Sequence, residues 1–195
     1  MRKKFGIDID GTITSPHSFV PHINQAFDLN ITLDDLYEYE ITKCIDVSPE
    51  EFGKWFTEME PNLYSKSPIA DHAQMIINQW QQQHDILFIS ARANHLIDVT
   101  EKWFAENKIN YHQIELIGSH YKVETAKKLD VDIFFEDKHD NAVDISEQLN
   151  IPVILFDTPY NRKPIPEKVI RVSNWLEAES WVQNWMQKEL NIQHV

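Results

Sequence analysis

Short apolar runs that end at polar residues recur along this chain: Phe5-Gly6-Ile7, Ile86 to Ile89, Ile114-Glu115-Leu116-Ile117, Ile133-Phe134-Phe135 and Pro152 to Phe156. Apolar runs this short read as strands covered on both faces, the usual situation in a parallel sheet. Between most of them lie stretches with helical spacing: Ala73, Ile76, Ile77 and Trp80, then Ile97, Trp103 and Phe104, then Val143, Ile145 and Leu149. Such alternation implies parallel strands joined by right-handed helical crossovers, so the expected class is α/β with helices flanking a parallel sheet.

The gap between the first run and the second is far longer than a crossover needs, so something is inserted there. Within it, Phe52, Trp55, Phe56 and Met59 follow i, i+3, i+4, i+7 spacing behind Ser48-Pro49-Glu50-Glu51, an N-cap followed by proline at the first helical position. Pro21 to Leu29 and Thr32 to Tyr37 also read as helical. The expected organisation is an α/β core from residues 1–14 and 71–195, with residues 15–70 forming a small helical cap. A chain of 195 residues suits one buried core plus such an appendage, and not two full domains. Asn174 to Leu190 reads as an amphipathic helix whose tryptophans serve packing.

A formal charge of −13 argues against binding a nucleic-acid polymer or an anionic membrane, both of which need a basic face. It also sets a condition: a phosphate ester can bind only where a metal ion, lysine, arginine or oriented amides overcome the repulsion. Cys44 is the single cysteine, which excludes an internal disulfide and a multi-cysteine zinc site and fits a reducing compartment. The basic start Met1-Arg2-Lys3-Lys4 is interrupted at once by Asp8 and Asp10, and no segment approaches the roughly 20 apolar residues that span a bilayer. The expected location is cytoplasmic.

In open parallel sheets, ligands bind beyond the carboxyl ends of the strands. The first run ends in Asp8 and Asp10, the second in Ser90, and the fourth in Glu136 and Asp137. Carboxylates gathered without a partner repel one another and raise each other's pKa, which a divalent cation would resolve. Oxygen-only donors with open positions for water and phosphate suit Mg²⁺ better than zinc or a calcium cage. Asp8 and Asp10, two apart on extended chain, point to the same side. Gly11 then permits a sharp turn, and the amides after it, Thr12 included, can face an anion. One carboxylate would attack phosphorus while the other protonates the leaving group and later activates water. Asp10-Gly11 alone would be only a turn signal. An EF-hand loop fails, because its sixth and twelfth positions would be Ile13 and Phe19 where glycine and glutamate are needed.

Asp8-Ile9-Asp10-Gly11-Thr12 after an apolar strand, with a helical insert behind it, resembles the first motif of the haloacid-dehalogenase-like phosphohydrolases. Ile89-Ser90-Ala91-Arg92 resembles their second motif, Lys122 their third, and Phe134-Phe135-Glu136-Asp137 their fourth. Pro159-Tyr160-Asn161-Arg162 and Arg171 to Trp175 resemble the C-terminal part of the deoxyribonucleotidase-like (type C 5′-nucleotidase) branch.

The resemblance implies a Rossmann-like sheet and a Mg²⁺-dependent phosphatase acting on a small phosphorylated metabolite, a nucleoside monophosphate first of all. It implies that Asp8 becomes an aspartyl phosphate and that Asp10 serves as acid and base, its backbone carbonyl also on the metal with Asp8 and Asp137. Ser90 with Ala91 would hold the phosphoryl oxygens, and Lys122 would offset charge there, electrostatic positioning being most of what phosphoryl transfer asks.

Glu136 stands where this branch often has aspartate, and is expected to act through water or toward the lysine. Lys122 is preferred over Lys127 and Lys128 because it opens the helix after a strand, within reach of the strand ends.

Other residues carry two readings. Arg92 could reach phosphate or pair with a carboxylate. Asp140 and Asn141 could orient the Asp137 loop or cap the helix that begins there. Phe19, Trp55 and Phe56 could line a substrate pocket or form core. The nine histidines lack zinc spacing. The rivals to a nucleotidase are a phosphatase for a sugar phosphate or other metabolite, and a phosphate-binding protein of the same fold without turnover. A receiver domain fits worse, because it distributes its acidic residues differently over the strands.

Overall fold

The computed structural model describes residues 2–192, with side chains through residue 189. The strands are β1 (Lys4–Ile7), β2 (Asp85–Ser90), β3 (Gln113–Leu116), β4 (Ile133–Glu136), β5 (Val153–Phe156) and β6 (Val169–Val172). They form one sheet in the order β3-β2-β1-β4-β5-β6, and every neighbouring pair is parallel. The order reverses between β1 and β4, so the crevice beyond their carboxyl ends is where a ligand site is expected in such a sheet. This is the Rossmann-type α/β architecture that the alternating pattern implies.

The helices are α1 (Val20–Phe27), α2 (Pro49–Lys66), α3 (Ala73–Gln81), α4 (Ile97–Glu106), α5 (Val123–Lys128), α6 (His139–Leu149) and α7 (Trp175–Ile192). Alternate side chains of each strand feed opposite faces of the sheet. On one face Phe5, Ile7, Phe88, Phe135 and Ile154 pack with Ile76 and Ile77 of α3, Trp103 and Phe104 of α4, and Trp175 of α7. On the other, Leu87, Ile89, Phe134, Val153 and Leu155 pack with Val123 and Ala126 of α5 and Ala142 and Ile145 of α6. Both faces of the central strands are therefore dry, which is why their sequences are apolar runs and do not alternate. Gly6 falls on the second face, where a Cβ would lie 2.6 Å from the Phe134 ring; only glycine leaves room for that ring.

Residues 15–70 leave and re-enter the core at one place. Ser15 N donates to Pro68 O at 2.8 Å and Ala70 N to Ile13 O at 2.9 Å, with Thr14 and Ile69 forming an antiparallel bridge. Between these ends, α2 starts where the cap motif places it: Ser48 Oγ accepts from Glu51 N at 3.2 Å, and Pro49 is the first helical residue. α2 packs against α4 of the core.

Thr32 to Tyr37 differs from the helical reading, holding only one 3-10 turn at Leu33–Asp35. Thr32 N and Oγ1 both donate to Asp35 Oδ2, at 2.7 and 2.8 Å, which closes a single turn, while Leu33 and Leu36 are buried against Val20. β6 has no counterpart among the apolar runs, because Arg171 interrupts this four-residue edge strand. α7 matches its reading, and Trp175 is buried against Trp80, Phe135 and Phe156.

Candidate active site

Asp8 follows β1 in extended conformation, and its N–H donates to Phe135 O of β4 at 2.9 Å, so the carboxylate sits at the sheet's reversal point. Glu136 ends β4 and Asp137 follows it at the same edge of the sheet. Asp8, Glu136 and Asp137 are all buried, and each offers an oxygen within 4.8 Å of the others. Lys122, the residue before α5, is buried between them; its Nζ donates to Asp8 Oδ1 and, at 2.8 Å, to Glu136 Oε2. Lys127 and Lys128 are exposed farther along α5, so the strand-to-helix junction is what brings a lysine to this edge.

The electrostatics are one-sided. Burial pushes the Asp8 carboxyl up to about 7 against the pull of Lys122, and Glu136 and Asp10 add to the rise. Burial raises Asp137 well above the ordinary carboxylate range, with Glu136 and Asp8 adding to it. Burial alone would lower Lys122, but Asp8 and Glu136 outweigh that and hold it firmly protonated. Three buried carboxylates sharing one lysine are short of positive charge, and the donors are all hard oxygens. The residues therefore fit a small divalent cation such as Mg²⁺.

Around this cluster the chain supplies fixed supports. Glu136 Oε1 accepts from Asp137 N at 3.3 Å and Lys138 N at 3.1 Å, and Asn141 Nδ2 donates to Glu136 Oε2 at 3.4 Å. Glu136 thus engages the lysine directly while one of its oxygens also faces the other two acids. Tyr160 Oη donates to Asp137 Oδ2 at 2.6 Å, and Asn161, fully buried, donates from Nδ2 to Asp137 O at 2.6 Å and Phe156 O at 2.7 Å. Arg171 of β6 in turn holds Asn161 O at 2.9 Å. The sequence alone assigns no role to Tyr160 or Asn161. Extending the strand-end rule to the fifth apolar run would have pointed to them.

Asp10 lies apart from the three-acid group. Its backbone is extended, and its carboxylate is gripped by Arg92, with Nε donating to Oδ2 at 2.8 Å and Nη2 to Oδ1 at 2.7 Å. Arg92 therefore takes the ion-pair alternative in this structure. Gly11, at φ 78°, makes the turn after Asp10, and a Cβ there would run into the Asp137 carboxylate. Its amide is already given to Thr14 Oγ1 at 3.0 Å. Thr12 is buried behind the loop, where its carbonyl accepts from Trp175 Nε1 at 3.1 Å, and it lines a smaller cavity of about 300 Å³. Asp140 is exposed and pairs with His139 at 2.9 Å.

All of this opens into a cavity of about 740 Å³. Its core side presents Asp8, Asp10, Ser90, Ala91, Lys122 and Asp137. Ser90 ends β2, and its Oγ accepts from Arg92 N at 3.2 Å. The insert contributes an aromatic wall of Phe19, Phe52, Phe56 and Tyr64, and Tyr39 also lines the cavity. Trp55 does not reach this cavity; it packs on Phe27 and Phe52.

No family model matches the chain. A Halalkalibacterium halodurans protein named as a putative nucleotidase is 45% identical over 187 residues, covering 96% of each chain. A Bacillus subtilis protein with the same description is 45% identical over 181 residues, covering 93% of this chain and 94% of its own. Among solved structures, a haloacid-dehalogenase-type hydrolase of Bacillus subtilis bound to magnesium superposes with a TM-score of 0.62 over 94% of this chain and 100% of its own. At 11% identity that likeness is one of fold. Sequence kinship across nearly the full length of two relatives is decisive for the family, and the sheet with its acidic strand ends has the fold of the haloacid-dehalogenase-type hydrolases: the chain belongs to the nucleotidase family that those relatives represent.

Proposed function

We propose that this protein is a Mg²⁺-dependent phosphatase that hydrolyses nucleoside 5′-monophosphates through an aspartyl phosphate on Asp8. The observation that carries the reading is the buried Asp8 carboxylate, bonded to Lys122 and grouped with Glu136 and Asp137, facing a cavity of about 740 Å³. That volume lies in the range that takes a nucleotide-sized ligand.

Asp8, Asp137 and the Asp10 backbone carbonyl would hold the cation, with Glu136 beside them; bound there, it would neutralise phosphoryl charge. Ser90, Ala91 and Lys122 receive the phosphoryl oxygens. An Asp8 carboxylate oxygen attacks phosphorus and the bond to the leaving oxygen breaks, with Asp10 giving that oxygen its proton. Asp10 then takes a proton from water, whose oxygen attacks phosphorus, releasing inorganic phosphate and restoring Asp8. The aromatic wall of Phe19, Phe52, Phe56 and Tyr64 suits a nucleobase. Residues 15–70 act as a cap over the core of residues 1–14 and 71–195, a reading supported by the single neck at Thr14 and Ile69. The free thiol of Cys44 supports a cytoplasmic setting. Among the described residues, no helix is long and apolar enough to cross a membrane.

Phosphate release from a panel of ribo- and deoxyribonucleoside monophosphates and sugar phosphates, with Mg²⁺ and with EDTA, tests this. Turnover of nucleotides that EDTA abolishes is the expected result. Preference for sugar phosphates replaces the substrate class, and metal and phosphate binding without any release replaces the enzyme with a binding protein.

A further inference from the structure

Arg92 is unusually enclosed for an arginine that borders an open cavity. Arg92 lines the cavity, yet its side chain is wholly buried while the Asp10 carboxylate that it grips stays 26% exposed, so the carboxylate is the more accessible partner of the pair. Three elements immobilise it. Nε and Nη2 take the two oxygens of Asp10, Nη1 donates to Thr100 Oγ1 of α4 at 3.0 Å, and the guanidinium lies over the Tyr64 ring of α2 with its carbon 4.0 Å from the ring centre. Thr100 is completely buried and does not line the cavity. A planar fork on both oxygens fixes the rotation of the carboxylate as well as its position, which a lysine ammonium cannot do. Burying a guanidinium is costly unless it is paired and bonded, and here every anchor serves to hold one carboxylate at one angle.

We infer that Arg92, braced by Thr100 and Tyr64, is a positioning residue that holds Asp10 in the orientation from which its proton passes to the leaving-group oxygen. The role rests on the proposed function. It assigns Arg92 no contact with phosphate: as Asp8 bonds to phosphorus and the phosphorus–oxygen bond to the leaving group breaks, the proton travels from Asp10 to that oxygen, and Arg92 sets only the direction. Loss of the fork should therefore penalise esters whose leaving oxygen needs a proton, and spare those whose leaving group departs as a stable anion.

The test compares kcat/KM of wild type, Arg92→Lys and Thr100→Val on a nucleoside 5′-monophosphate, an alkyl ester, and on p-nitrophenyl phosphate, an aryl ester. This parameter reports steps through the first bond cleavage and is blind to later hydrolysis of the aspartyl phosphate. Arg92→Lys should lose about 100-fold on the alkyl ester, the scale of a misplaced catalytic group, and only a few-fold on the aryl ester. Thr100→Val should show the same asymmetry at about 10-fold, and it carries the test if Arg92→Lys does not fold. Inhibition by inorganic phosphate should stay unchanged in both. Equal losses on the two esters, no loss on either, or much weaker phosphate inhibition would overturn the role. A wild-type protein that turns over neither ester overturns the reading of the site, and this role with it.

Discussion

Replacing Asp8 with asparagine should make the metal-free protein more stable while removing its activity. The Asp8 carboxyl is buried, and its pKa stands at about 7 against an ordinary value of 3.8, burial outweighing the pull of Lys122. At 1.36 kcal/mol per pKa unit, keeping this group ionised in the fold costs about 4 kcal/mol. Asparagine keeps the shape and an acceptor oxygen for Lys122 but carries no charge. Because the carboxyl's pKa is raised in the fold, its contribution is most favourable below pH 3.8 and declines as pH rises toward 7, above which the whole penalty is present. Asp8→Asn should therefore match wild type near pH 4 and exceed it by about 2 to 4 kcal/mol at pH 8. Urea unfolding in EDTA at the two pH values measures this. Equal stabilities at pH 8, or a less stable variant, would refute the claim that the cluster is short of positive charge. The same variant, assayed with Mg²⁺, should show no turnover.

Other substitutions probe the supports and the sheet. Tyr160→Phe removes the 2.6 Å bond to Asp137 and should raise the Mg²⁺ concentration for half-maximal activity by about 10-fold, read from a metal titration of phosphate release. Asn161→Ala strips two carbonyls of their donor in a fully buried site and should cost about 2 to 4 kcal/mol in urea unfolding. Gly6→Ala forces a methyl group into the Phe134 ring and should cost about 1 to 3 kcal/mol, with the melting temperature as readout.

The parts of this molecule that could be read along the chain are those whose cause is local or periodic. Both faces of the sheet are covered, so the central strands appear as unbroken apolar runs, and their polar ends at Asp8, Ser90 and Glu136-Asp137 mark the edge that carries the candidate site. The start of α2 was legible because Ser48 and Pro49 satisfy the helix end by themselves. Lys122 followed from its place before α5. What stayed hidden depends on contacts across the fold. Arg92 had an ion pair and a phosphate as equal readings until Thr100 and Tyr64 enclosed its side chain. Phe56 and Trp55 sit next to each other on one helix, yet one faces the cavity and the other packs on Phe27. β6 was obscured because an edge strand tolerates Arg171, whose partner is Asn161 on another loop.

Acid-quenching the enzyme during turnover of a phosphate-labelled nucleoside monophosphate, followed by peptide mapping, addresses the nucleophile itself. Label should appear on the peptide carrying Asp8, be chased off on further incubation with unlabelled substrate, and be absent from Asp8→Asn. Steady turnover with no label trapped on protein, or label on another residue, would contradict Asp8 as the nucleophile.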